Sequence, residues 1–307
     1  MLWGEYAVLA DAPAAVAAID RWADVSMRAR PAGWQFSAAG LQTPGVYSQA
    51  QFTQAPIASL GEAILRTWGY DAYPATSAEI EIDTSAFYTS LEPHAPTKLG
   101  IGSSAAVCVA LYAGLAKLLG HTPQMSEAMR IHTDWQGGKG SGLDVAASWH
   151  GGTIFFQSGQ ASPFAWPDDL HWCVVWTGVH AATSAHLASF TQWRDSAVDA
   201  STYDALIEAT HTLQRKISLS NLAAYVEKLA AFDQAAKLNI FSQPHQRLAT
   251  IADRLSVTYK PCGAGGGDIG IAIHDDPTQL AKFTETAAQE FIVLQSEIAS
   301  HGVKVSG

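Results

Sequence analysis

The chain has 307 residues, 48% of them hydrophobic and 15% charged, and a formal net charge of −10. That length supports two medium cores, and the composition is globular without a low-complexity block. With no basic face, a general polyanion-binding role such as nucleic-acid binding is excluded. The three cysteines, Cys108, Cys173 and Cys262, lie far apart with no C-x-x-C spacing, which suggests a reducing compartment and no disulfide framework. Met1-Leu2-Trp3-Gly4-Glu5 has no basic n-region, and the longest apolar stretch, 105 to 116, is shorter than the roughly 20 residues of a membrane span. The expectation is a soluble cytoplasmic protein with no membrane partner.

In chain order, Met1 to Leu9 reads as a strand broken at Gly4-Glu5, and Asp11-Ala12-Pro13 as a turn before the apolar segment 14–19. Val25 to Arg30 and Val46 to Phe52 alternate as strands. Ile57, Leu60, Ile64, Leu65 and Trp68 have helical spacing that stops at Gly69. Glu79-Ile80-Glu81-Ile82-Asp83 alternates strictly and predicts a half-exposed strand. A loop with Pro93 and Pro96 then delivers Lys98 to Leu99-Gly100-Ile101-Gly102-Ser103-Ser104-Ala105-Ala106, which opens a helix over Val107 to Leu119, stopped by Gly120. Ser126 to Trp135 is a further helix. Gly151 to Gln157 and His171 to Trp176 are strands. From Ala182 to about Leu255 the pattern is helical, with Pro244 as its expected break, and this change of pattern puts a domain boundary near Asp168. Val257 to Lys260 and Ile269 to Ile273 are strands, Thr278 to Phe291 a helix, and Val303 to Val305 an edge strand.

Three stretches carry chemistry. The Gly-x-Gly-Ser-Ser loop is either an ordinary Ser-capped helix start or a phosphate-binding turn. In the second case free N–H groups and the positive helix end face an anion that the glycines let close, and the serine hydroxyls bond phosphate or Mg2+. It is neither a Walker A loop nor G-x-G-x-x-G. Asp144, alone among small apolar residues after Gly137-Gly138-Lys139-Gly140-Ser141-Gly142, is either a helix cap or a catalytic carboxylate. The run Gly263-Ala264-Gly265-Gly266-Gly267 implies a backbone shape other residues cannot take. Glu5 is either an exposed strand-edge carboxylate or a functional group. His132 and Asp134 are too sparse for a metal site and read as solvated or core residues.

Taken in order, Gly4-Glu5-Tyr6-Ala7-Val8-Leu9 with Pro13-Ala14, then Gly100 to Ala106, then Lys260-Pro261-Cys262-Gly263 to Asp268, resemble the motifs of the GHMP kinase superfamily over nearly the whole chain. Gln136 to Ser148 and Trp176-Thr177-Gly178…Ala182-Thr183-Ser184 are most similar to phosphomevalonate kinases. The resemblance implies an α/β (α+β) two-domain fold: a ribosomal-protein S5-like nucleotide-binding domain over 1–168 and a ferredoxin-like domain over 169–307, with the site in the cleft between them. It implies ATP and Mg2+ as cofactors. Lys98, Gly100, Gly102, Ser103, Ser104 and Ala105 would wrap the ATP phosphates, with Ser104 also the metal ligand, and Asp144 would be the catalytic carboxylate. Glu5, Lys139, Ser141, Gly142, Gly263, Ala264, Gly265 and Gly266 would bind substrate.

The activity so implied is transfer from ATP to a small phosphate ester, phosphomevalonate giving diphosphomevalonate, in a monomer or homodimer. The alternatives are a mevalonate or other small-alcohol kinase, or a catalytically weak nucleotide-binding sensor on the same scaffold. Two departures keep these open. The Pro-Gly-Lys usual before the first motif would fall upstream of Met1, and Val179-His180 stands where a Lys commonly follows Trp-Thr-Gly.

Overall fold

The computed structural model describes residues 1–40, 45–48, 56–71, 73–89, 96–138, 140–181, 183–196 and 199–307. They form two compact units: an N-terminal unit of residues 18–98, 102–152 and 298–307, and a C-terminal unit of residues 1–17, 99–101 and 153–297. The chain therefore changes unit at several points instead of once near Asp168. Strand pairing is the reason, since β1 (Ala14–Ala17) pairs antiparallel with residues 153–156 and so joins the start of the chain to its second half. Ahead of β1, the strand expected over residues 1–9 is reduced to a bridge between Trp3 and Ala15 and a 3-10 turn at Ala7–Ala10. Gly4 and Tyr6 take positive φ there and break the extended run.

The N-terminal unit contains β2 (Asp24–Ala29), β3 (Gln35–Ala39), β4 (Gly45–Ser48), α1 (Pro56–Thr67), β5 (Ala78–Asp83), β6 (Tyr88–Thr89), β7 (Thr97–Lys98), α2 (Ser103–Leu119), α3 (Met125–Trp135) and α4 (Leu143–His150). One sheet has the order β2-β5-β3-β4, with β5 antiparallel to β2 and parallel to β3. Alternation along β5 buries Ile80 and Ile82 and exposes Glu81 and Asp83, as its spacing predicts. These isoleucines pack with Phe36, Leu60, Ile64, Leu111 and Tyr112, which ties the sheet to α1 and α2. β3 had no sequence signal of its own, because Phe36 is its single large apolar residue. Residues 49–52 of the expected fourth strand lie outside the described residues. Val303 to Val305 is not a strand; Val303 donates one backbone hydrogen bond to Trp149 O at 3.2 Å.

In the C-terminal unit, β8 (Thr153–Gln157) lies between β1 and β9 (Gln160–Phe164). There follow β10 (His171–Trp176), α5 (Thr183–Ser196), α6 (Ser201–Arg215), α7 (Leu219–Ala236), α8 (Gln243–Arg254), β11 (Thr258–Pro261), β12 (Ile269–His274), α9 (Pro277–Ala287) and β13 (Ile292–Leu294). The sheet order β11-β12-β10-β13, antiparallel at each pairing, with helices between the first two strands and one helix between the last two, is the ferredoxin-like arrangement. Pro244 does not break the helical region. It sits in the first turn of α8, where its missing N–H costs no bond, and the break is made by Lys237 and Asn239 in left-handed conformation. Among the described residues no helix is long and apolar enough to cross a membrane.

Phe232 of α7 is fully buried and centres an aromatic cluster, with ring centroids 5.6 Å from Tyr6, 5.3 Å from Tyr203 and 5.3 Å from Trp193. Truncation there leaves a cavity between α5, α6 and α7. Phe232→Ala should lose about 3–5 kcal/mol in chemical denaturation of the C-terminal unit.

Candidate functional site

Two helices of the N-terminal unit start in the same way. Gly102 is the N-cap of α2 and Gly142 that of α4, both left-handed and neither assisted by a side-chain cap. Ser103 and Ser104 are therefore inside the first turn of α2 and do not cap it. The first N–H groups of α2 stay clear of side-chain acceptors, and a Cβ on Gly102 would meet nothing within 4 Å. An uncapped helix N-terminus with open space over it suits a phosphate. Asp144 is not the cap of α4 either. It stands exposed in the first turn, while the Ser141 hydroxyl accepts from Leu143 N–H at 3.3 Å.

His132 of α3 sits against the first of these starts. Its Nε2 lies 3.3 Å from Ser104 Oγ. Burial lowers the pKa of this imidazole and the Asp144 carboxylate opposes the shift, which places Asp144 within electrostatic reach. Whether the imidazole nitrogen accepts the Ser104 hydroxyl hydrogen or donates to its oxygen follows from the tautomer, and in both cases a serine lone pair is left for a cation. His132 is thus neither a plain core nor a solvated histidine; no sequence signal marked it beyond its place on the same helix as Asp134. Among the described residues no group of three or more His, Cys, Asp or Glu is placed to hold a metal. A cation at Ser104 and Asp144 would share its ligands with phosphate oxygens, the usual manner of Mg2+. Lys98 pairs in β7 with Tyr88 of β6, and Ala105 is buried in α2. Lys139 lies outside the described residues.

The C-terminal unit holds the glycine run. Gly263, Gly265 and Gly266 are left-handed, and the Gly266 N–H donates to Ile240 O at 2.9 Å. Two carbonyls of the run are turned inward: Ala264 O accepts from Tyr6 Oη at 2.7 Å, and Gly267 O from His245 Nε2 at 3.0 Å. Since a carbonyl only accepts, Nε2 carries the imidazole hydrogen and Nδ1 accepts from Tyr259 Oη at 2.8 Å. His245 is fully buried, and burial pushes its pKa down from 6.5 to about 4, so it is neutral at pH 7. Leu99–Ile101 belongs to this unit as well. Gly100 is there because a Cβ would fall 2.1 Å from the carboxyl carbon of Asp268.

Glu5, expected to bind substrate, is instead sealed in this unit. Its side chain is 0% exposed, with Oε1 2.5 Å from Lys260 Nζ (itself 1% exposed) and Oε2 accepting from Tyr225 Oη at 2.6 Å. Tyr225 Oη in turn accepts the N–H groups of Gly4 and Glu5 at 2.9 and 3.0 Å. Burial lowers the Lys260 pKa, but the Cys262 sulfur and the Glu5 carboxylate outweigh it and hold the lysine above its ordinary value. With both carboxylate oxygens engaged, Glu5 ties residues 1–6 to β11 and is not available to a substrate.

Residues 60–152 match the family described as GHMP kinases N terminal domain. The chain shares its fold with Streptococcus pneumoniae phosphomevalonate kinase in complex with phosphomevalonate and AMPPNP, with a TM-score of 0.70 at 18% identity, covering 97% of this chain and 96% of that one. Phosphomevalonate kinase of Streptomyces sp. (strain CL190) is 30% identical over 232 residues, 62% of this chain and 62% of that protein. Mevalonate kinase of Methanothermobacter thermautotrophicus is 32% identical over 165 residues, 52% of this chain and 48% of that protein. The matched part is thus less than two thirds of either relative. The matched stretch 60–152 contains the Gly100–Ser104 turn, His132 and Asp144; Glu5 and the glycine run lie outside it.

Two tests of the buried groups follow. Lys260→Met leaves Glu5 charged without a partner in a dry site and should cost about 3–5 kcal/mol in denaturant unfolding, whereas the double variant Glu5→Gln, Lys260→Met should recover most of that loss. The unfolded chain protonates His245 near pH 6.5, while the folded chain resists until about pH 4. Stability is therefore complete above pH 6.5 and should fall by about 3 kcal/mol as the pH drops to 4. A series of denaturant melts over that range should show the slope in the native chain, and His245→Gln should remove this part of it.

Proposed function

We propose that this chain is an ATP-dependent small-molecule kinase that transfers a phosphoryl group to phosphomevalonate. The carrying observation is the contact of Ser104 in the first turn of α2 with His132, an imidazole within electrostatic reach of the exposed Asp144 carboxylate. When bound, ATP supplies the phosphoryl group and Mg2+ neutralises charge on its phosphate oxygens. Ser104, with a lone pair left beside His132, and Asp144 are the side chains that would hold the cation. The first-turn N–H groups of α2 receive phosphate oxygens. Asp144 accepts the proton of the attacking acceptor oxygen, as the new oxygen–phosphorus bond forms and the bond to the departing ADP oxygen breaks. The glycine run receives a further phosphate. Similarity to two phosphomevalonate kinases supports a phosphorylated acceptor.

Similarity to a mevalonate kinase supports a second reading, in which the acceptor is mevalonate or another small alcohol. A coupled ADP-release assay over a panel of phosphomevalonate, mevalonate and other small alcohols separates the two by kcat/KM. In either case Asp144→Asn should lower kcat by about 10²–10⁴-fold while Mg2+-free ADP binding by calorimetry stays unchanged. No acceptor-dependent ADP release from the native chain would reject the kinase reading altogether.

A further inference from the structure

We infer that His180, held beside Asp268, is the side chain that recognises a phosphate dianion at the glycine run. This inference rests on the kinase reading above and adds a binding residue to it. The backbone that carries His180 is fixed on the run itself. A Cβ on Gly267 would fall 2.6 Å from Val179 O and 2.9 Å from Ala181 N, so only glycine lets the 179–181 segment lie there. Asp268 N–H donates to Val179 O at 2.6 Å, and Thr177 gives both its N–H (2.8 Å) and its hydroxyl (3.0 Å) to Asp268 O. Asp268 itself is left-handed, with φ 53°. That conformation is uncommon for a side chain larger than glycine, and these backbone bonds hold it.

The Asp268 carboxylate touches two segments. It covers Gly100 of the phosphate-type turn and lies 3.6 Å from His180 Nδ1. On the other side of the run, His186 in the first turn of α5 lies over Gly266, whose absent Cβ would fall 2.4 Å from the imidazole Cε1. A bare carboxylate beside a phosphate turn repels the anion that the turn attracts. An imidazole beside it adds an N–H donor for that anion. With Nδ1 on the carboxylate side at 3.6 Å, Nε2 is the ring nitrogen on the far side of the imidazole. The His180 side chain is 57% exposed although its backbone is pinned, so the imidazole is both positioned and reachable.

Charge makes the assignment selective. A chain of net charge −10 does not draw a phosphate in by its overall field, so a local donor is required. Lys260, which leads into the run in sequence, is buried and committed to Glu5. The shared ligand chemistry is a phosphate dianion, either the end of the nucleotide's phosphate chain or the ester phosphate of the acceptor.

Calorimetric titration of the full chain with ADP and, separately, with phosphomevalonate tests the assignment in three forms: native, His180→Gln and His180→Lys. Removal of one charge-assisted bond should weaken one ligand by about tenfold or more in His180→Gln. A permanent cation in His180→Lys should hold the affinity within about threefold of native. The ligand that weakens identifies the source of the phosphate. Native affinity for both ligands in His180→Gln would overturn the inference and leave the kinase reading intact, as would an equal loss in His180→Lys. If the native chain ignores phosphomevalonate and ADP but binds another phosphate monoester with the same Gln and Lys pattern, the proposed reaction falls and the role of His180 stands. Failure to bind any phosphate in a panel including inorganic pyrophosphate sinks both.

Discussion

The buried ion pair between Glu5 and Lys260 is the constraint on which the C-terminal unit depends. Two opposite charges withdrawn from water are costly, and they persist only where geometry and further hydrogen bonds offset desolvation. Here Tyr225 supplies the further bonds: it donates to Glu5 and receives the two amide groups of Gly4 and Glu5. The N-terminal residues, α7 and β11 are thereby fixed to one another. Since β11 runs directly into the glycine run, the course of that run follows from a contact made by the fifth residue of the chain.

From that anchor the rest of the unit is held by bonds to the backbone of the run. Tyr6 takes Ala264 O, His245 takes Gly267 O, and Thr177 and Val179 take Asp268. The glycines are retained for close approach, with Asp268 on Gly100 and residues 179–181 on Gly267. In the N-terminal unit the organising device is different. A glycine caps α2 and α4 alike, and one half-buried imidazole sits against Ser104 in the first turn of α2.

Much of this was legible in the residues. Alternation in 79–83 and the apolar stripe in 57–68 mark a strand and a helix whose inward faces are the core faces observed, and Gly120 stops α2 as its position implies. The phosphate-type turn and Asp144 stood out because glycines and a lone carboxylate are rare among small apolar residues. What escaped were groups defined by partners far away in sequence. Glu5 beside Gly4 gives no local sign that its partner is Lys260, and His132 looks like any helical histidine until Ser104 is placed beside it. The interleaving of the units escaped for the same reason, since β1 and β8 carry no mark of their mutual pairing. Pro244 misled because the same ring that ends one helix is accommodated at the start of another.

The separation of 255 residues between Glu5 and Lys260 has a consequence for how the C-terminal unit folds. Tyr225 and Lys260, which bond and neutralise Glu5, lie far from it along the chain, and β1 pairs with β8 across another long stretch. The C-terminal unit therefore closes through contacts distant in sequence, the kind that form slowly because loop-closure entropy is lost before they are made.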